Sequence, residues 1–99
     1  MDNDVRSKLR REVMSSYWAD LAPHQQRGAL LLLAPALDLL DVAEAMAKDE
    51  SARVASWLAR GLLWRATDRE RTGFEADEAS ALRFQFVVVQ PWVVAQALA

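Results

Sequence analysis

Arg83-Phe84-Gln85-Phe86-Val87-Val88-Val89-Gln90-Pro91-Trp92-Val93-Val94-Ala95-Gln96 has the pattern of a β-strand that is apolar on nearly both faces. One register holds Phe84, Phe86, Val88, Gln90, Trp92 and Val94; the other holds Gln85, Val87, Val89, Pro91, Val93 and Ala95. A strand beside water alternates apolar with polar residues, so this one requires cover on both sides. Pro91 has no N–H to give to a ladder, which confines a long strand to an edge, a bulge or a bend. The ladder is therefore expected to hold up to Gln90 and to change at Pro91. Residues 92–96 then bend away or pair with a second copy of the chain.

Upstream, residues 4–21 have helical spacing. Val5, Leu9, Val13, Tyr17 and Leu21 recur every four residues, with Met14 and Trp18 widening the stripe. Asp2, Asn3 or Asp4 can cap its start, and Pro23 ends it. Arg6, Lys8, Arg10 and Arg11 form a solvated basic face, with an anionic partner as the sharper alternative. The apolar run 28–34, bounded by Gly28 and Pro35, favours a buried strand over a short helix. Leu39, Val42, Ala43, Met46 and Ala47 then repeat as a helix, with Asp38 as N-cap and Asp41 in its first turn. Lys48-Asp49-Glu50-Ser51 separates it from a second helix carrying Val54, Trp57 and Leu58. Gly61 stands where a left-handed C-cap is wanted. A short strand over 62–66 leads to Thr67-Asp68-Arg69-Glu70, which fits a capping box opening a helix towards Phe74. The acidic segment 75–80 is undetermined.

The expected order is α-β-α-α-β-α-β. It gives a small α+β two-layer sandwich on a three-stranded mixed sheet, with the terminal strand central and a compact α/β arrangement as the alternative. Two helices between the first two strands leave room for a parallel, right-handed crossover. At 99 residues the chain is read as one domain, 1–99. With 53% hydrophobic and 26% charged residues it has a globular composition. The absence of cysteine excludes disulfides and thiol chemistry and fits a reducing compartment. A formal charge of -2 gives no footprint of a nucleic-acid binder. The acidic start has no signal-peptide character, and no apolar run is long enough for a bilayer, so a cytoplasmic location is the default expectation.

Chemical constellations are sparse. The three glycines stand alone at 28, 61 and 73, which gives no phosphate loop. One histidine without cysteine makes no typical zinc site, and no cofactor is expected. His24 lies in the polar turn Pro-His-Gln-Gln-Arg, where it is a surface or cap residue or, on the sharper reading, a general base. Asp38, Asp41 and Glu44 share a helix flank, as caps and solvated acids or as hard-cation ligands. Candidate ligand contacts are His24, Arg27, Asp38 and Asp41, because Asp38 follows a strand and opens a helix, where α/β sheets bind ligands. Four tryptophans are many for this length. Trp18 and Trp57 fall on core stripes. Trp92, Val94, Pro91 and Trp64 are candidate interface residues, since aromatic rings fill pockets at contacts, although an intramolecular role is favoured for Trp92 itself and Trp64 suits either.

Trp18 with Leu21, Pro23-His24 and Arg27, Pro35-Ala36-Leu37-Asp38-Leu39, Val54 with Trp57 and Gly61, and Val89-Gln90-Pro91-Trp92-Val93 follow one another at characteristic spacing. In that order the chain resembles a small uncharacterised bacterial family, domain of unknown function 2288, over most of residues 9–96 and least across 68–82. The resemblance implies a bacterial origin and transfers no activity, substrate or site residue. The residues themselves favour a non-catalytic module that forms a homodimer or binds a protein partner, with no nucleic acid or membrane. The alternative is a small-ligand sensor with a pocket near Asp38, His24 and Arg27. An enzyme has the least support.

Overall fold

A computed structural model describes residues 2–74 and 82–98 of the chain. The apolar C-terminal stretch is two strands, not one. β4 (Arg83–Val89) and β5 (Trp92–Ala97) form an antiparallel hairpin that turns at Gln90–Pro91, with Val89 opposite Trp92 and Phe84 opposite Ala97. The Gln90–Pro91 bond is cis, within a two-residue turn. Pro91 thus interrupts the ladder where expected, but residues 92–97 neither bend away nor await a second subunit. They fold back on β4, and their other edge pairs in parallel with β2 (Leu30–Leu33), Leu30 opposite Val93.

With β1 (Met14–Tyr17) and β3 (Leu63–Arg65), the sheet has five strands rather than three, in the order β1-β4-β5-β2-β3, so β5 is its centre. Cover on both faces, required by the sequence, is supplied within the chain. Val87 and Val94 face one core with Leu9, Leu39, Val42 and Trp57, from helices α1 (Asp2–Glu12), α3 (Leu39–Ala47) and α4 (Ser51–Ala59). Phe84, Val93 and Ala95 face the other with Trp18 and Leu21 of α2 (Trp18–Gln26). The fold is α+β, with helices on both sides of the mixed sheet in place of the expected two layers.

The helix expected over 4–21 is helix, strand and helix. α1 ends at Glu12, β1 (Met14–Tyr17) pairs with β4 (Met14 opposite Phe86), and α2 begins at Trp18. The four-residue repeat misled because its two halves serve opposite faces. Leu9 belongs to the α3 side and Leu21 to the α2 side, and one straight helix cannot reach across the sheet. Met14 and Tyr17, assigned to the stripe, are 59% and 49% exposed. Pro23 sits inside α2 instead of ending it. The chain leaves α2 at Gly28, whose φ of 74° permits the Ala29 N–H to donate to the His24 carbonyl at 2.9 Å.

β3 (Leu63–Arg65) lies antiparallel to β2, Leu33 opposite Leu63, which corrects the parallel crossover. One helix returns the chain to the strand's starting end, whereas two bring it back to the end it left. The Ala34 N–H accordingly donates to the Leu62 carbonyl at 2.9 Å. Gly61 takes the left-handed cap position with φ 72°. The capping box opens α5 (Asp68–Phe74): the Glu70 N–H donates to Thr67 Oγ1 at 3.3 Å, and the Thr67 N–H to Glu70 Oε1 at 3.1 Å. The candidate caps Asp2, Asn3 and Asp4 and the acidic segment 75–80 lie outside the described side chains.

One polar side chain is built into the middle of the sheet. Gln96 on β5 is 8% exposed, and its Nε2 donates to the Ala34 and Leu37 carbonyls at 2.9 and 2.7 Å while its Oε1 accepts from Gln85 at 2.9 Å. It ties the β2–α3 connection to the central strand.

Candidate functional site

The acidic flank of α3 is occupied by the chain's own arginine. Asp38 caps α3 by accepting from the Leu40 N–H at 3.3 Å, which fixes the carboxylates at successive turns. Arg6 of α1 donates to Asp38 Oδ2 at 3.0 Å, Asp41 Oδ1 at 2.9 Å and Glu44 Oε1 at 3.4 Å. The hydrogen bond to Asp41 raises the Arg6 pKa above its ordinary value. Desolvation works against this, and the charges of Asp41, Asp38 and Glu44 add to it. The cluster is therefore an ion-pair clasp between α1 and α3, and Arg6 leaves the solvated face to which its spacing assigned it. Among the described residues no group of three acidic or histidine side chains is arranged to hold a metal ion.

The clasp is partly exposed, so it is worth little individually. Arg6→Met, which keeps the apolar stem, is expected to cost about 1 kcal/mol in urea unfolding, with the loss shrinking at high salt. A loss that salt leaves unchanged would place the contribution in packing rather than charge.

His24 and Arg27 lie at the C-terminal end of α2, where Arg27 Nη2 meets His24 Nδ1 at 2.8 Å. They stand before β2, while Asp38 and Asp41 stand beyond its other end. The four candidate ligand contacts thus form two separate pairs, each with a partner in the chain. Of the candidate interface residues, Val94 is fully buried on the central strand, a core position that offers nothing to a partner. Trp64 is on the α2 face, with its Nε1 donating to Glu70 at 2.8 Å. Pro91 and Trp92 stay together at the hairpin tip.

That tip borders one of the concave surfaces of the described structure, a larger one of about 480 Å³ lying between α1 and the end of β4. Between the α3–α4 junction and the β4–β5 turn lies an open concavity of about 290 Å³, lined by Met46, Val54, Val89, Pro91 and Trp92, with Asp49 and Glu50 as its charged members. The junction is shaped by Asp49, whose φ of 56° lets the Glu50 N–H reach back to the Ala45 carbonyl at 2.9 Å. A second concavity of about 240 Å³ shares Met46, Val54 and Trp92 and continues to Leu58 and Arg65. The half-buried Trp92 ring is the common wall. The Arg65 guanidinium lies 5.2 Å from its centroid, which holds the ring in place and puts a cation at the groove. Sequence reasoning found Pro91 and Trp92 but missed Met46, Val54 and Arg65, because three separate elements deliver them.

Among the described residues no helix is long and apolar enough to cross a membrane. A family model described as "protein of unknown function (DUF2288)" matches residues 4–97. The NMR solution structure of PA1075 from Pseudomonas aeruginosa is similar to this chain, with 41% sequence identity and a TM-score of 0.80 over 97% of this chain and 86% of that one. No curated protein shows a significant match.

Proposed function

We propose, for a chain that belongs to the DUF2288 family of proteins of unknown function, a non-catalytic role in which the groove along Trp92 receives apolar side chains of a protein partner. The observation that carries this reading is the shared Trp92 wall. One ring, fixed by Arg65, lines two adjoining apolar concavities. At about 290 and 240 Å³, and open to solvent, each half of the groove has room for an inserted side chain. Aromatic anchors seated in such pockets dominate contact energies. The candidate polar groups support a non-catalytic role, because Arg6 engages the α3 carboxylates and Arg27 engages His24.

The test is a heteronuclear NMR titration with side-chain mimics, N-acetyl-leucine amide and N-acetyl-tryptophan amide. Shifts are expected at Val89, Gln90, Trp92 and Met46, and they should disappear in Val54→Glu, which puts a charge on the groove wall. Shifts scattered over the surface, or none at millimolar probe, would remove the groove as a contact site.

A further inference from the structure

We infer that the partner received by the Trp92 groove presents an extended segment with an apolar side chain between a basic and an acidic residue. The inference rests on the groove reading above and adds the chemistry of the partner. One end of the groove is acidic: Asp49 and Glu50, at the α3–α4 junction, line the concavity beside Pro91. The other end is basic: Arg65 of β3 is the only charged member of the adjoining concavity among the described residues. α4 runs between the two ends, with Val54 lining both concavities and Leu58 the second.

Neither end is neutralised within the described chain. Glu50 holds Arg53 at 3.1 Å and Lys48 engages Glu44 at 3.4 Å, but Asp49 is exposed and has no ion-pair partner among the described residues. The C-terminal end of α3 and the N-terminal end of α4 meet at this junction, so their dipoles oppose each other and the carboxylates set the sign. Arg65 is also exposed and has no carboxylate at ion-pair distance among the described residues. Its contact is the face of the Trp92 ring, 5.2 Å from the centroid. That contact orients the guanidinium and leaves its N–H groups able to take a carboxylate in bidentate fashion.

Spacing follows from α4. Glu50 to Leu58 is about 12 Å along the helix axis. Side chains i, i+2 and i+4 of an extended segment share one face and span about 13 Å. A basic residue at Asp49, an apolar one against Trp92 and an acidic one at Arg65 therefore fit a five-residue stretch. A segment with like charges at both ends meets repulsion at one of them, which gives the groove a means of exclusion.

The test is an NMR titration of the full chain with N-acetyl-Lys-Thr-Leu-Thr-Glu amide and with its neutral counterpart, N-acetyl-Gln-Thr-Leu-Thr-Gln amide. Both should shift Met46, Val54 and Trp92. The charged peptide is expected to bind about fivefold tighter, as two exposed ion pairs allow, and its advantage should fade at about 0.5 M salt. Asp49→Asn, which suits the same left-handed φ, should lower that advantage to about twofold. In Arg65→Glu the preference should pass to N-acetyl-Lys-Thr-Leu-Thr-Lys amide, which wild type binds no better than the neutral peptide. Scoring each peptide against the neutral one on the same protein removes any effect of a variant on the Trp92 ring, and the spectrum shows that each variant is folded. Equal binding of the charged and neutral peptides to wild type, or a preference that neither variant alters, would overturn this inference and leave the groove reading standing. No shift from any peptide would overturn both.

Discussion

Gln96→Glu is expected to destabilise the protein by about 3–5 kcal/mol at neutral pH, the range for an uncompensated buried charge. The native amide donates to two carbonyls, those of Ala34 and Leu37, and a carboxylate has no hydrogen to give either. It would instead set its charge against both oxygens in the middle of the sheet. Protonation restores one donor, so the folded state holds the proton more tightly than the unfolded chain does. The variant's folded pKa then lies above the ordinary glutamate value of about 4.3. An acid with a raised folded pKa favours folding below the unfolded value and loses that contribution as pH rises towards the folded one. Unfolding by urea at pH 4 and pH 7, each against wild type, reads this difference directly. The deficit should be smaller at pH 4, whereas Gln96→Leu should show no such dependence. An equal deficit at both pH values would mean that water reaches the site and that the amide does not seal the β2–α3 connection.

Phe84→Ala is expected to cost about 3–5 kcal/mol, the range for deleting a buried aromatic ring. Phe84 is 1% exposed, its ring centroid is 6.0 Å from that of Trp18, and it holds α2 to the sheet. An edge-tilted pair adds about 0.5–1.5 kcal/mol to simple burial. Against a typical total of about 5–15 kcal/mol this is a large fraction, and the melting temperature should fall by at least about 10 °C. Val88→Ala on the same strand is the internal control. Val88 shares the Phe84 face at the hairpin end but is 40% exposed, so its loss should stay below about 1 kcal/mol. Comparable losses at the two positions would contradict the burial gradient along β4.

Local chemistry was largely legible in the sequence. The Asp38 cap, the Thr67–Glu70 box and the left-handed Gly61 involve neighbours within a few residues, so the amino-acid order specifies them. The terminal segment was legible in content but not in connectivity. A continuous apolar run looks alike whether it is one strand buried on two faces or two strands folded together at Pro91. Its pattern records burial, and burial does not name the neighbour. The candidate site was half visible: Pro91 and Trp92 are marked by residue type, whereas Met46, Val54 and Arg65 become part of it only when α3, α4 and β3 arrive beside β5.

Amino-acid order specified the apolar character of residues 83–96, the Asp38 and Thr67–Glu70 caps, the Gly61 stop and the α+β class. Each of these depends on propensity, hydrogen bonding or burial within a short stretch. Tertiary structure alone decided that Leu9 and Leu21 of one apparent stripe lie on opposite sides of a sheet, that Arg6 closes on Asp38 and Asp41, and that Gln96 is sealed at the centre. Those outcomes join residues some 12 to 60 positions apart, and no periodicity encodes a partner at that distance. The sheet order settles them, because only when β5 inserts between β4 and β2 do both faces acquire helices and each long-range pair come within bonding reach.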